Sequence, residues 1–104
     1  RNTQVGGSSN SRHIIGDAAD ICRNDYTGID LFYKAASLKD EKGNFVFGGI
    51  GLYFPEDRSG KFIHVDMRPK KLGKTTFWYQ DENGKYGKLP DYVVKQLRKI
   101  GHKI

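Results

Sequence analysis

Between Phe62 and Arg68 the chain reads Phe-Ile-His-Val-Asp-Met-Arg, an order that few conformations accommodate. Side chains alternate along a strand, so an extended segment puts Phe62, His64 and Asp66 on one face and Ile63 and Val65 on the other. The alternation predicts a strand over residues 61–67. On its own, His64 in such a strand fits a satisfied core histidine. A second run, Ser11-Arg-His13-Ile-Ile-Gly16-Asp-Ala18-Ala-Asp20, changes the weighing. Residues 18–22 fit a short strand in which Asp20 faces away from Ala19 and Ile21. A strand carboxylate among apolar neighbours is costly to bury unless it is paired or metal-bound. His13, Asp20 and His64 are each unusual in their settings, and one shared metal ion accounts for all three. Oxygen and imidazole ligands without thiolate suit zinc, although manganese, cobalt or nickel take the same set. Three protein ligands and a water in an open fourth position is how a catalytic zinc is held. Gly16 permits a tight turn after His13, Ala18 allows close packing, and Ser11 adds a hydroxyl nearby.

Periodicity outlines the remaining elements. Residues 1–12, rich in Gly, Ser and Asn, read as a loop that delivers Ser11 and His13. Ile29, Phe32, Tyr33 and Ala36 recur at three and four, predicting an amphipathic helix over residues 29–40, with Thr27 as its cap and Gly43 as its stop. Residues 49–54 and 61–67 read as an antiparallel hairpin joined by the polar turn 55–60. Another strand spans residues 75–80, before a turn at Glu82-Asn83-Gly84. A basic helix follows within residues 89–104, opened by Pro90 and Asp91, with Val93, Val94, Leu97 and Ile100 as its buried stripe. The expected architecture is one α+β domain over residues 1–104, a small antiparallel sheet flanked by helices.

Composition narrows the class. At 104 residues, 37% of them hydrophobic, the chain can bury one modest core. No apolar run approaches the length of a membrane span. The lone Cys22 excludes an internal disulfide; it reads as a small buried apolar side chain, with a fourth metal ligand or a nucleophile as the alternative. The net charge of +6 is localised: residues 1–69 hold nine basic and nine acidic side chains, and residues 70–104 hold nine and three. Such a tail is either a solvated face or a surface for an anionic wall polymer. Nucleic acid is the least favoured partner, because the tail is Lys-dominated and its aromatics Phe77, Trp78 and Tyr79 cluster in one strand. His102, in that charged tail, reads as solvated.

The pattern Ser-x-His-x-x-Gly-x-Ala-x-Asp at Ser11–Asp20, followed by His-x-Asp at His64–Asp66, resembles the zinc D-alanyl-D-alanine carboxypeptidase family. That family includes vancomycin-resistance D,D-peptidases and phage endolysins, and it shares its fold with the hedgehog signalling domain. The likeness extends from Asn2 and Val5-Gly6-Gly7 through Gly48-Gly49-Ile50-Gly51-Leu52-Tyr53 to Arg68 and Trp78. It implies a hedgehog-like fold and a zinc held by His13, Asp20 and His64. It further implies hydrolysis of a peptidoglycan stem peptide, by a carboxypeptidase or an endolysin-like endopeptidase, and hence an extracytoplasmic protein or a phage protein acting on a host wall. The family also carries a helix and a strand before the equivalent of Asn2, so this chain is expected to be either a fragment or one with an unusually short front end.

The resemblance leaves the general base open. Family members place a Glu three residues, or a His two residues, before the last His ligand, where this chain has Lys61 and Phe62. Asp66, on the same face as His64, is the nearest substitute. It reads as the base or as the partner that orients a ligand, with a strand-surface salt bridge to Arg68 as the plain alternative. Glu56 or Asp57 of the hairpin turn stands next in line as base. Ser11 resembles the family serine that helps hold the substrate carboxylate. Arg68 reads as a second anion holder, or as a residue packed on Trp78 or paired with Asp66. The rival function is a non-catalytic, zinc-stabilised binding module on the same scaffold.

Overall fold

The computed structural model describes residues 17–104. Five strands and two helices follow in the order β1 (Ala18–Ile21), α1 (Gly28–Ser37), β2 (Gly49–Tyr53), β3 (Ile63–Asp66), β4 (Thr76–Gln80), β5 (Tyr86–Gly87) and α2 (Asp91–Ile100). The strands form one sheet in the order β1-β3-β2-β4-β5. The chain is therefore a small α+β domain with a mixed sheet.

The expected all-antiparallel sheet is corrected by one pairing. The strands β2 and β3 form the antiparallel hairpin, but β4 runs parallel to β2, in register from Gly49 opposite Thr76 to Tyr53 opposite Gln80. The cause lies at the far edge of β3, where β1 pairs from Ala18 opposite Asp66 to Ile21 opposite Ile63. With that edge filled, the chain leaving β3 steps across the start of β2 and enters the sheet on its other side. β5, an unanticipated two-residue strand, then closes antiparallel on β4 across the Glu82-Asn83-Gly84 turn.

Alternation gives the sheet two unlike faces. Ile50 and Leu52 of β2 and Ile63 and Val65 of β3 are buried with Phe32 and Ala36 of α1 and Val93 and Leu97 of α2. Phe32 is fully buried and tilts against Phe77 at a centroid distance of 5.7 Å. Its truncation to Ala should cost about 3–5 kcal/mol. The opposite face carries Asp20, Gly49, Gly51, His64, Asp66 and Trp78.

Local chemistry sets the helix ends. The Thr27 hydroxyl accepts the Asp30 amide at 3.1 Å, the expected cap. α1 stops at Ser37, earlier than its periodicity suggests. Asp40 folds the next segment into a turn, its Oδ1 accepting the amides of Lys42 and Asn44, and Gly43 supplies φ +83°. Pro90 caps α2 as anticipated; Val93 and Leu97 are fully buried, while Val94 and Ile100 are half-buried.

Candidate metal centre

Four strands bring one row of residues into line: Asp20 of β1 lies opposite His64 of β3, His64 opposite Gly51 of β2, and Gly51 opposite Trp78 of β4. His64 stands between two carboxylates. Its Nε2 lies 2.8 Å from Asp66 Oδ2, and its Nδ1 lies 3.4 Å from Asp20 Oδ1. An ionised carboxylate only accepts, so Nε2 carries a proton and donates it to Asp66. The Trp78 ring leans over the imidazole at 5.1 Å and 51°.

Asp66 is the most enclosed charged group of this cluster, 1% exposed. Arg68 compensates it: the guanidinium Nε reaches Oδ1 at 2.9 Å, its terminal nitrogen reaches Oδ2 at 2.6 Å, and the Arg68 amide reaches Oδ1 at 3.1 Å. Burial works to raise the carboxyl, but the hydrogen bonds from Arg68 and His64 outweigh it and hold Asp66 below the ordinary carboxylate range. Arg68 in turn lies over Trp78, with its Cζ 4.8 Å from the ring centroid. Both plain readings of Arg68, pairing with Asp66 and packing on Trp78, are realised together.

The glycines of β2 make room for this arrangement. A Cβ on Gly49 would lie 2.5 Å from Asp66 Oδ1, and one on Gly51 would overlap the Trp78 indole. Without side chains at these positions, Asp66, Arg68 and Trp78 lie flat across the strand. Further along the same face, Tyr53 stacks on Phe62 at 4.7 Å, and burial pushes its phenol up to about 12.

Ser11 and His13 lie outside the described residues. Asp20 reaches His64 but is not buried as expected: its side chain is 46% exposed, because β1 pairs with β3 alone among the described residues and offers little cover. Cys22, expected to be buried, is exposed just beyond the end of β1. Glu56 is drawn away from this face, its carboxylate accepting the hydroxyls of Tyr79 and Tyr92 on the helical side.

His102 requires the largest correction. It is buried, not solvated, stacked on Phe45 at 3.8 Å and edge-on to Phe77 at 4.8 Å, with Nε2 2.7 Å from the Ala36 carbonyl oxygen. Burial first, with help from Lys39, holds its imidazole below the ordinary value, against the opposing effect of the Ala36 bond.

Among the described residues, no group of three or more His, Cys, Asp or Glu side chains is gathered as if around a metal ion, and no helix is long and apolar enough to cross a membrane. His64 and Asp20 supply an imidazole nitrogen and a carboxylate oxygen facing each other. No protein-family model, curated protein or solved structure matches the chain.

Proposed function

We propose that this chain is a zinc-dependent peptidase acting on peptidoglycan stem peptides, as a D-Ala-D-Ala carboxypeptidase or an endolysin-like endopeptidase on a hedgehog-like scaffold, with His13, Asp20 and His64 as ligands. The observation that carries the reading is the His64–Asp20 separation. At 3.4 Å, Nδ1 and Oδ1 are further apart than a good N–H···O hydrogen bond. Two ligands on a tetrahedral zinc with bonds of about 2.0–2.1 Å stand about 3.3–3.4 Å apart. Asp66 adds the second support. A metal-ligating histidine commonly gives its other N–H to a carboxylate, which fixes the tautomer and leaves the first nitrogen's lone pair for the ion. The His64–Asp66 bond has that form.

When bound, zinc would acidify a water and polarise the scissile carbonyl. The chain's own residues divide the remaining work. Asp66 holds the His64 proton on Nε2 and keeps Nδ1 turned toward Asp20. Arg68 neutralises Asp66, so this buried carboxylate stays ionised while it orients the ring. Tyr53, neutral as a phenol and raised further by burial, is a hydroxyl donor on the site face. Ser11 is assigned to the substrate carboxylate on the resemblance alone.

One observation favours the rival, a non-catalytic zinc-stabilised module: Asp66 is occupied on both oxygens by Arg68 and His64 and is poorly placed to take a proton from water. Two measurements separate the readings. Elemental analysis should find about one zinc per chain, lost in His64→Ala; zinc retained in that variant rejects the ligand assignment. Digestion of purified murein by the zinc-loaded protein should release new termini, and chelator should abolish the release. Full zinc with no cleavage would select the binding module.

A further inference from the structure

On the helical side of the molecule, a cleft of about 590 Å³ opens between the start of β4 and α2. Among the described residues four cations line it, Lys74, Lys88, Arg98 and Lys103, against one acidic side chain, Asp91. They come from the loop before β4, the segment before α2, the last turn of α2 and the tail beyond it, so the fold and not a local run of sequence gathers them. None of the three lysines forms an ion pair among the described residues. Arg98 is already engaged, donating to the Ile104 carbonyl oxygen from Nε at 3.0 Å and from its terminal nitrogen at 2.8 Å. Like charges gathered around one cavity repel, and a polyanion seated there relieves that repulsion.

We infer that this cleft binds a phosphodiester-linked polymer of polyol or sugar units. Three features choose that class. The cavity exceeds the size of a single phosphate, so it accommodates successive units of a chain. Its floor of Leu89 and Val94 suits carbon skeletons between phosphates. Among the described residues it also lacks a platform for bases: the aromatic ring they contribute to the lining, Phe77, is held against Phe32 and the His102 edge. Stacking on open aromatic faces is what single-stranded nucleic acid would require. Flexible lysines contact phosphates as point charges without reading the units between them. The cleft lies on the face of the sheet opposite His64, so the inference does not rest on peptide hydrolysis.

The test uses the full chain and synthetic poly(glycerol phosphate), with binding followed by calorimetry at two salt concentrations. Affinity should fall as salt rises, with a log–log slope of about −2 for three lysine contacts to a single flexible chain. The triple variant Lys74→Gln, Lys88→Gln, Lys103→Gln should bind at least about tenfold more weakly. The control pair Lys95→Gln, Lys99→Gln, outside the lining, should match the wild type. Melting curves establish that each variant is folded, and zinc content establishes that the metal centre is untouched. Unchanged affinity in the triple variant overturns the inference, as does equal loss in the control. Tighter binding of single-stranded or duplex DNA of matched charge would overturn it in favour of nucleic acid.

Discussion

Gly51 and Trp78 face each other across the parallel β2–β4 pair, and the indole occupies the space that a Cβ on Gly51 would need. The same indole stacks beneath Arg68 and leans on His64. Gly51→Ala should therefore push Trp78 out of register with both. Overpacking of this kind costs about 1–3 kcal/mol. Trp78 is the only tryptophan, so its emission reports this site alone. Urea unfolding of Gly51→Ala should show lower stability and a shifted native emission; a wild-type spectrum and midpoint would mean that the glycine is dispensable.

That fluorophore also offers a direct test of the proposed zinc. With the Trp78 and His64 rings 5.1 Å apart, Zn2+ added to chelator-treated protein should change the emission and saturate at one equivalent. His64→Ala should give a flat titration. A flat titration of the wild type, with zinc absent by elemental analysis, would remove the centre.

Asp66→Asn separates the two roles open to this carboxylate. If it orients His64, as its enclosure and its bond to Nε2 favour, the amide should weaken zinc affinity about ten- to a hundredfold. If it is the base, turnover should instead fall by about two to four orders of magnitude at unchanged zinc affinity. Wild-type zinc affinity and activity together would assign Asp66 to neither task.

What the sequence made legible is local and periodic. Alternation alone put His64 and Asp66 on one face, and they meet at 2.8 Å. Thr27, Pro90 and the Val93–Leu97 stripe mark helix features through chemistry confined to a turn or two. The parallel β2–β4 pairing was not legible, because it depends on β1 having filled the far edge of β3, a relation between segments over forty residues apart. Asp20 and Cys22 share one miss. Their apolar neighbours suggest burial, yet how much cover a strand receives is decided by its position in the sheet. His102 is the opposite case: a charged neighbourhood suggests solvent, while its burial is made by Ala36, Phe45 and Phe77, all distant in sequence.

The Glu56 tie should be worth a modest amount. Tyr79 donates to its Oε1 at 2.8 Å and Tyr92 to its Oε2, which fastens the hairpin turn to α2. Burial opposes ionisation, but the two phenols, with a backbone bond, outweigh it and hold Glu56 below the ordinary range. Tyr92 is exposed, so Tyr92→Phe should cost only about 0.5–1.5 kcal/mol in denaturant unfolding. Zinc content should be unchanged, because this tie lies across the sheet from His64. A loss of zinc in Tyr92→Phe would mean that the two faces are coupled.

His102 should make stability depend on pH in a definable direction. In the fold its imidazole is held below the ordinary value of 6.5, chiefly by burial between Phe45 and Phe77, while the unfolded chain titrates near that value. Between the two, the unfolded state binds more protons, so its contribution is present above about pH 6.5 and is lost as pH falls through the folded-state value. Protonation adds charge to a buried ring beside Lys39, while its Nε2–H keeps the bond to the Ala36 carbonyl; desolvation, not loss of that bond, therefore drives the effect. Wild-type melting temperature should drop on going from pH 7 to pH 5 by more than that of His102→Gln, which cannot titrate. The comparison cancels contributions common to both proteins. Parallel pH profiles for the two proteins would show that His102 does not change its charge on folding, and the difference between them at pH 7 would then measure packing together with the Ala36 hydrogen bond.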